Sequence, residues 1–247
     1  GEDSRPRGPD LTEARAVALS ERAEGANDAP SAHTVDFYFS FRSPYSYLAT
    51  PQVVALSGRY EVEINVRVVR PLALRDPGFF QRINPLWPPY LMRDTRRIAE
   101  RLAIPYAWPN PDPVTLEPGV GFAADQPHIR RLNRIGVAAG EAGRGLEAIS
   151  TVGQLIWSGA TAGWHLDGHL DRALAAAGLD PAAVAQRCER DAVRLDTAVE
   201  ANEKAQIDAG HWGVPLFVFQ GEPFFGQDRM ADLAWRMQRS GVRERGA

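Results

Sequence analysis

"VDFYFSFRSPYSYLA", residues 35–49, joins two kinds of local structure within fifteen positions. Its first part, Val35 to Ser40, is aromatic and β-branched, short, and followed by a break, which is the pattern of a buried strand. Ser43-Pro44 then makes a helix start: serine caps free amides, and proline at the first helical position lacks only an N–H that would have no helical partner. Tyr47, Leu48, Pro51, Val54 and Ala55 continue at helical spacing, and Gly58 is expected to close the helix. "YEVEINVRVVRPL", residues 60–72, alternates as a second strand from Glu61 to about Val69. Strand, helix and strand in this order form a right-handed βαβ unit with parallel strands.

The character changes from Asp76 to about Ala209. "YLMRDTRRIAERLAIPY", residues 90–106, is an amphipathic helix with Leu91, Ile98 and Leu102 on one face. Five further segments between residues 127 and 210 read as helices punctuated by Gly, Pro or Asp, and "AWPNPDPVTLEPGVGF", residues 107–122, reads as a Pro-rich loop. The pattern then reverts in "VPLFVFQGEPFFGQDRMADLAWRM", residues 214–237. It predicts a strand over Leu216–Phe219, a Gly221-Glu222 turn, a strand over Pro223–Phe225 and a closing helix from about Asp228. The expectation is an α/β, thioredoxin-like fold (βαβ … ββα) with a large all-helical insertion. Residues 34–75 and 206–240 are assigned to the thioredoxin-like domain and 76–205 to the insertion. Residues 1–33 are read as an extension outside the core, with a short helix over Leu11 to Ala23.

At 247 residues the chain is long enough for one sizeable core and needs no second domain. Twenty-eight basic and 31 acidic residues leave a net charge of -3, which argues against nucleic acid and anionic membrane as partners. No apolar run approaches a membrane span, and the first residues lack the apolar stretch of a secretory signal. One cysteine, Cys188, excludes an intrachain disulfide and fits a reducing compartment, so a cytoplasmic protein is expected. The five histidines are scattered, and His165 and His169 are separated by a glycine, so no metal site is expected.

Redox proteins of this build place two cysteines at the helix start, where the dipole and free amides stabilise thiolate. Here Ser43 and Ser46 stand in those positions, and a hydroxyl cannot exchange disulfides. The same helix start would still favour a thiolate carried by a ligand, with Ser43 donating a hydrogen bond to it. Ser46 is read as satisfying its own helix end or packing. No histidine is placed by a nearby motif to activate a serine nucleophile.

Taken together, "DFYFSFRSPYSYLA", "YLMRDTRRIAERLAIPY", "IWSG", "AAAGLD" and "GHWGVPLFVFQGEPFFGQDRM" resemble the 2-hydroxychromene-2-carboxylate isomerase group, related to kappa-class glutathione transferases and the DsbA-type thioredoxin fold. The resemblance runs from about His33 to Met237. It implies glutathione as cofactor, a conjugated aromatic carbonyl acid as substrate and a homodimer. It also implies that Ser43 contacts the glutathione sulfur and that Val214, beside a cis Pro215, pairs its backbone with the cysteinyl part. Gln227, Asp228 and Arg229 would hold the γ-glutamyl end; the plainer reading is that Asp228 caps the last helix and Arg229 pairs on the surface. Tyr45, Asn84, Trp87 and Tyr90 are candidates for the acceptor pocket, "FFQRINPLWPPY" serving equally well as a lid or dimer contact. Two departures stand out: Ser40 where the family has Asp, and Gln126-Pro127-His128-Ile129 where it has Phe-Pro-x-Asn. The Pro-rich loop from Trp108 to Gly121 is a local elaboration. A glutathione-dependent cis/trans isomerase is therefore the expected function. The alternatives are a kappa-like glutathione transferase and a non-catalytic thioredoxin-like binding module.

Overall fold

The computed structural model describes residues 33–246, so the helix expected over Leu11 to Ala23 lies outside the described residues. Strand β1 (Thr34–Phe39), helix α1 (Pro44–Arg59) and strand β2 (Glu63–Val68) form the expected parallel βαβ unit, with Phe37 paired to Val66. After the helical block, β5 (Leu216–Phe219) and β6 (Glu222–Phe225) complete a four-stranded sheet in the order β2-β1-β5-β6. β5 runs antiparallel to β1, with Phe37 opposite Phe217, and their rings stack at 4.9 Å. The chain closes with the helix Met230–Arg239.

β1 is covered on both faces, as a central strand without polar alternation should be. Val35, Phe37 and Phe39 enter the main core, whereas Tyr38 packs on the opposite face with Val69, Leu216 and Val218. The β5–β6 turn is Gln220-Gly221, not Gly221-Glu222. Both turn residues have positive φ (50° and 81°) in a two-residue hairpin, the twist-matched geometry that glycine favours, and Glu222 already pairs with Phe219.

The helical block comprises α2 (Leu72–Arg75), α3 (Phe79–Arg82), α4 (Trp87–Leu102), α5 (Pro127–Glu141), α6 (Gly145–Trp157), α7 (His169–Ala176), α8 (Pro181–Arg190) and α9 (Ala192–Asp208). The closing helix is α10. The Pro-rich stretch is not all loop, since β3 (Leu116–Glu117) and β4 (Gly121–Phe122) pair within it.

These helices share the sheet's core. Leu132 of α5 and Trp157 of α6 belong to the same apolar cluster as Phe37 and Phe39. Gly136 permits the approach of α5, because a Cβ there would lie 2.6 Å from Val68 and 3.0 Å from Phe41. Trp157 is fully buried between Tyr47, Tyr106 and Trp108, and its indole N–H donates to the Phe41 carbonyl at 2.8 Å.

Candidate functional site

Strand directions bring three sequence segments to one end of the sheet. β1 and β2 end there, β5 starts there, and β6, antiparallel to β5, ends there. Ser43 follows β1, Val214-Pro215 precedes β5, and Gly226 to Arg229 follow β6. Extending the β1–β5 register past Tyr38 and Leu216 sets Pro215 beside Phe39.

The first turn of α1 separates the roles of the two serines. Ser43 is the N-cap, and its Oγ accepts from the Ser46 N–H at 3.0 Å. The Ser43 N–H goes to the Ser40 carbonyl, the Tyr47 N–H goes to the Ser43 carbonyl, and Pro44 has no N–H to place. By the usual pattern of a helix start, this leaves the Tyr45 N–H without an intrahelical acceptor. Among the described residues no acceptor takes the Ser43 hydroxyl proton either. Ser43 is part-exposed, whereas Ser46 is fully buried and its Oγ has no partner. Of the two, Ser43 can meet a ligand. Ser46 satisfies the helix end through its backbone N–H and packs its side chain.

The Val214–Pro215 peptide bond is cis, the geometry the resemblance implied. The Pro215 carbonyl accepts from the Gly226 N–H at 3.0 Å, which ties the start of β5 to the segment carrying Gln227, Asp228 and Arg229. Gly226 has φ +115°, and a Cβ would sit 2.6 Å from an Asp228 carboxylate oxygen. Glycine is therefore required for the backbone and for the place of that carboxylate. The last helix begins at Met230 with no side-chain cap, later than the expected start at Asp228, so Asp228 is not its cap. The Asp228 carboxylate stays exposed, 3.9 Å from Arg229, whose closer partner is Asp232 at 3.2 Å. Gln227 is buried, and its Oε1 has no partner.

The segment before Ser43 is held from the helical block. Arg42 makes a two-pronged ion pair with Asp112 at 3.1 and 2.9 Å, and its guanidinium lies over the Trp108 ring. Asp112 also accepts from the Trp108 indole N–H and the Val114 N–H. The Pro-rich stretch thus braces the residue next to Ser43, a role that reading it as a local elaboration missed.

The remaining candidates fall along α4. The Tyr45 hydroxyl donates to Asp94 at 2.8 Å; burial first, and then this carboxylate, push its pKa up, so it stays protonated. Arg97 pairs with Asp94 and lies over the Tyr90 ring, which stacks on Trp87 at 5.9 Å. Asn84 accepts from the Leu86 N–H in the turn before this helix. The structure thus links Tyr45 to Tyr90 and Trp87, and it leaves both rings half in water.

A cavity of about 460 Å³ lies elsewhere, among α2, α5 and α9, and none of Tyr45, Asn84, Trp87 and Tyr90 lines it. Arg70, two residues past the end of β2, is part of its wall, which puts the cavity at the same end of the sheet as Ser43. Ile129, where the resemblance expects Asn, lines it, and so does Asn133 one helical turn on. Asn133 was not singled out from the sequence. The available signal was an amide between Leu132 and Ile135 on a buried helix face.

His165 and His169 do not face one site: His165 lies against His128 at 4.6 Å between ring centres, and His169 contacts Arg172. Among the described residues no three His, Cys, Asp or Glu side chains could hold a metal ion, and no helix is long and apolar enough to cross a membrane. Cys188 is a free, part-buried thiol on α8, its pKa raised by burial.

A family model described as a DSBA-like thioredoxin domain matches residues 34–238. Among solved structures, the chain is similar to a 2-hydroxychromene-2-carboxylate isomerase at 24% identity and a TM-score of 0.63, over 84% of this chain and 95% of that one. It is also similar to a probable DsbA oxidoreductase from Streptomyces coelicolor at 17% identity and a TM-score of 0.58, over 84% and 89% of the two chains. A third likeness is to the cytosolic disulfide reductase DsbM from Pseudomonas aeruginosa with GSH, at 13% identity and a TM-score of 0.52, over 83% and 99%. At these identities the likeness is one of fold. No curated protein matches the chain in sequence.

Proposed function

The chain belongs to the DSBA-like thioredoxin domain family, and from that premise we propose that it binds glutathione at the Ser43 end of the sheet and acts as a glutathione-dependent cis/trans isomerase on a conjugated carbonyl compound. The observation that carries this reading is the division between the serines: Ser43 keeps an unused, accessible O–H at a helix start, while Ser46 is sealed. A dithiol enzyme needs sulfur at both positions, and this chain has its one cysteine on α8.

The groups around Ser43 fit the tripeptide. The Ser43 hydroxyl and the Tyr45 N–H are donors for a thiolate, helped by the positive end of the helix dipole. The backbone of Val214 pairs with the cysteinyl part, as strand addition beside a cis proline would allow. Asp228, exposed and only loosely paired, takes the α-ammonium, and the Gln227 amide N–H, which has no partner among the described residues, donates to the γ-glutamyl carboxylate. Glutathione, when bound, would supply a thiolate for reversible addition to a conjugated carbonyl compound. The duties left to this chain are to hold the sulfur charged and to orient the acceptor beside it.

The test is calorimetric titration of glutathione at neutral pH into the parent and into Asp228→Ala. The expected result is binding in the parent, weakened at least tenfold in the variant; no binding in the parent overturns the reading. Where binding is found, net formation of a stable adduct with a model electrophile, rather than release of an isomer, would move the assignment to a glutathione transferase.

A further inference from the structure

The segment that leads into β5 is gripped by side chains on both sides of Gly213. The Gly213 N–H donates to His211 Nδ1 at 2.8 Å, and the Gly213 carbonyl accepts from Gln206 Nε2 at 2.7 Å. Both side chains are themselves held. Gln206, near the end of α9, is fully buried, and its Oε1 accepts from Arg75 Nη1 of α2 at 2.8 Å. Arg75 also reaches the Trp212 carbonyl at 3.4 Å. The His211 ring stacks on Phe225, the last residue of β6, at 4.0 Å between ring centres. Because Nδ1 accepts, the neutral imidazole carries its proton on Nε2. Burial lowers the His211 pKa and keeps that acceptor available at neutral pH.

The next residue is left open. Val214 is part-exposed, and among the described residues neither its N–H nor its carbonyl has a hydrogen-bond partner. Main-chain groups of a folded protein are usually spent, so a donor and an acceptor left free on one residue call for a partner. Their direction is set from Gly213. In a trans peptide group the C=O and N–H lie in one plane and point opposite ways, and the Gly213 carbonyl and the Val214 N–H share such a group. Gln206, by holding the carbonyl, turns the Val214 N–H away from α9. His211, by holding the Gly213 N–H, fixes the preceding peptide plane, so Gly213 cannot swing the second one round. A fixed, unspent N–H and C=O on one residue is what an added strand pairs with.

We propose that Gln206 and His211 are positioning residues: by gripping the two peptide groups of Gly213 they hold the N–H and carbonyl of Val214 ready to pair with the main chain of a bound peptide. That this peptide is glutathione rests on the function proposed above. Recognition of the ligand's main chain is thereby set from α9 and the loop after it, apart from the helix start that meets the sulfur.

The experiment is hydrogen exchange at the Val214 amide, followed by NMR with and without saturating glutathione, together with affinities from calorimetry. In the parent, glutathione is expected to slow exchange of the Val214 N–H at least tenfold. Gln206→Met, close in volume but without the amide, should bind glutathione about tenfold more weakly and lose that protection. His211→Phe keeps a ring against Phe225 without the acceptor and should lose about fivefold in affinity. His211→Asn, whose Oδ1 can take an N–H two residues on, should recover most of that loss, which a role in ring packing alone would not produce. Glutathione binding that leaves Val214 exchange unchanged in the parent overturns the inference and spares the proposed function. So does equal affinity in His211→Phe and the parent. No binding in the parent overturns both. The parent's exchange and the two histidine variants decide the matter if Gln206→Met fails to fold.

Discussion

The Ser43 end of the sheet and the cavity along α5 are built in opposite ways. Around Ser43 the backbone sets the geometry: a capped helix start, a cis peptide at Pro215, and a Gly226 N–H bonded to the Pro215 carbonyl. In the cavity, side chains drawn from distant segments set it, and Arg70 is positioned by Glu203 across a separation of 133 residues. The first kind of site tolerates most side-chain changes and fails at its glycine, its cap and the side chains that grip its backbone. The second kind keeps its shape only while each charged group keeps its partner.

The largest effect should come from breaking the side-chain construction. Glu203→Ala strands Arg70 and the nearby Arg75 beside a buried gap, and urea unfolding should show a loss of about 3 kcal/mol. A loss below about 1 kcal/mol would mean that water screens the pair and that the contrast between the regions is weaker than drawn. Next is the backbone construction. Gly226→Ala forces a Cβ onto a φ of +115° and toward Asp228, costing about 2 kcal/mol of stability. Glutathione binding should fall with it; unchanged binding would remove Asp228 from the site.

Ser43→Ala removes a cap and should cost about 1 kcal/mol in unfolding. Ser46→Ala removes a buried hydroxyl without a partner and should be neutral or stabilising by up to about 1 kcal/mol. Equal losses in the two variants would erase the distinction on which the ligand role of Ser43 rests.

The smallest effect is a pH dependence. Burial lowers the pKa of His211, which stacks on Phe225 and accepts the Gly213 N–H, and that of His128, where His165 adds to the lowering. A histidine with a depressed folded pKa binds its proton more readily when unfolded. Its contribution to stability is therefore full above its ordinary pKa of about 6.5 and is lost as pH falls through that value. Urea midpoints should decline modestly from pH 7.5 to pH 5, and His211→Asn should flatten part of that slope. An unchanged slope would assign the decline to other groups.

What was legible in the sequence follows the same contrast. Ser43-Pro44 announces a helix start through residue type alone, whereas the cis bond at Val214-Pro215 is implied by the family resemblance and not by the dipeptide, since most X-Pro bonds are trans. Helix α4 starts at Trp87, earlier than the reading at Tyr90, because Pro88 and Pro89 suggest a loop although a first turn tolerates proline. The pairing of Leu116 with Phe122 is too short to show periodicity. Arg42 and Asp112, 70 residues apart, and Asn133 and Asp196, which line the same cavity, leave no local pattern, since only the folded chain brings them together.

The unpartnered hydroxyl of Ser46 also bears on engineering. A fully buried position that offers its Oγ no hydrogen-bond partner suits a thiol, a weak donor that packs like a small hydrophobe, at least as well as an alcohol. Ser43→Cys with Ser46→Cys is therefore expected to graft an electron-exchanging dithiol onto this scaffold at no more than the cost of the lost Ser43 cap, about 1 kcal/mol. A measured thiol–disulfide reduction potential together with a urea midpoint of the reduced variant no lower than that of Ser43→Ala would show it, and a collapsed midpoint would refute it. The difference between holding another molecule's sulfur and cycling its own would then come down to two atoms.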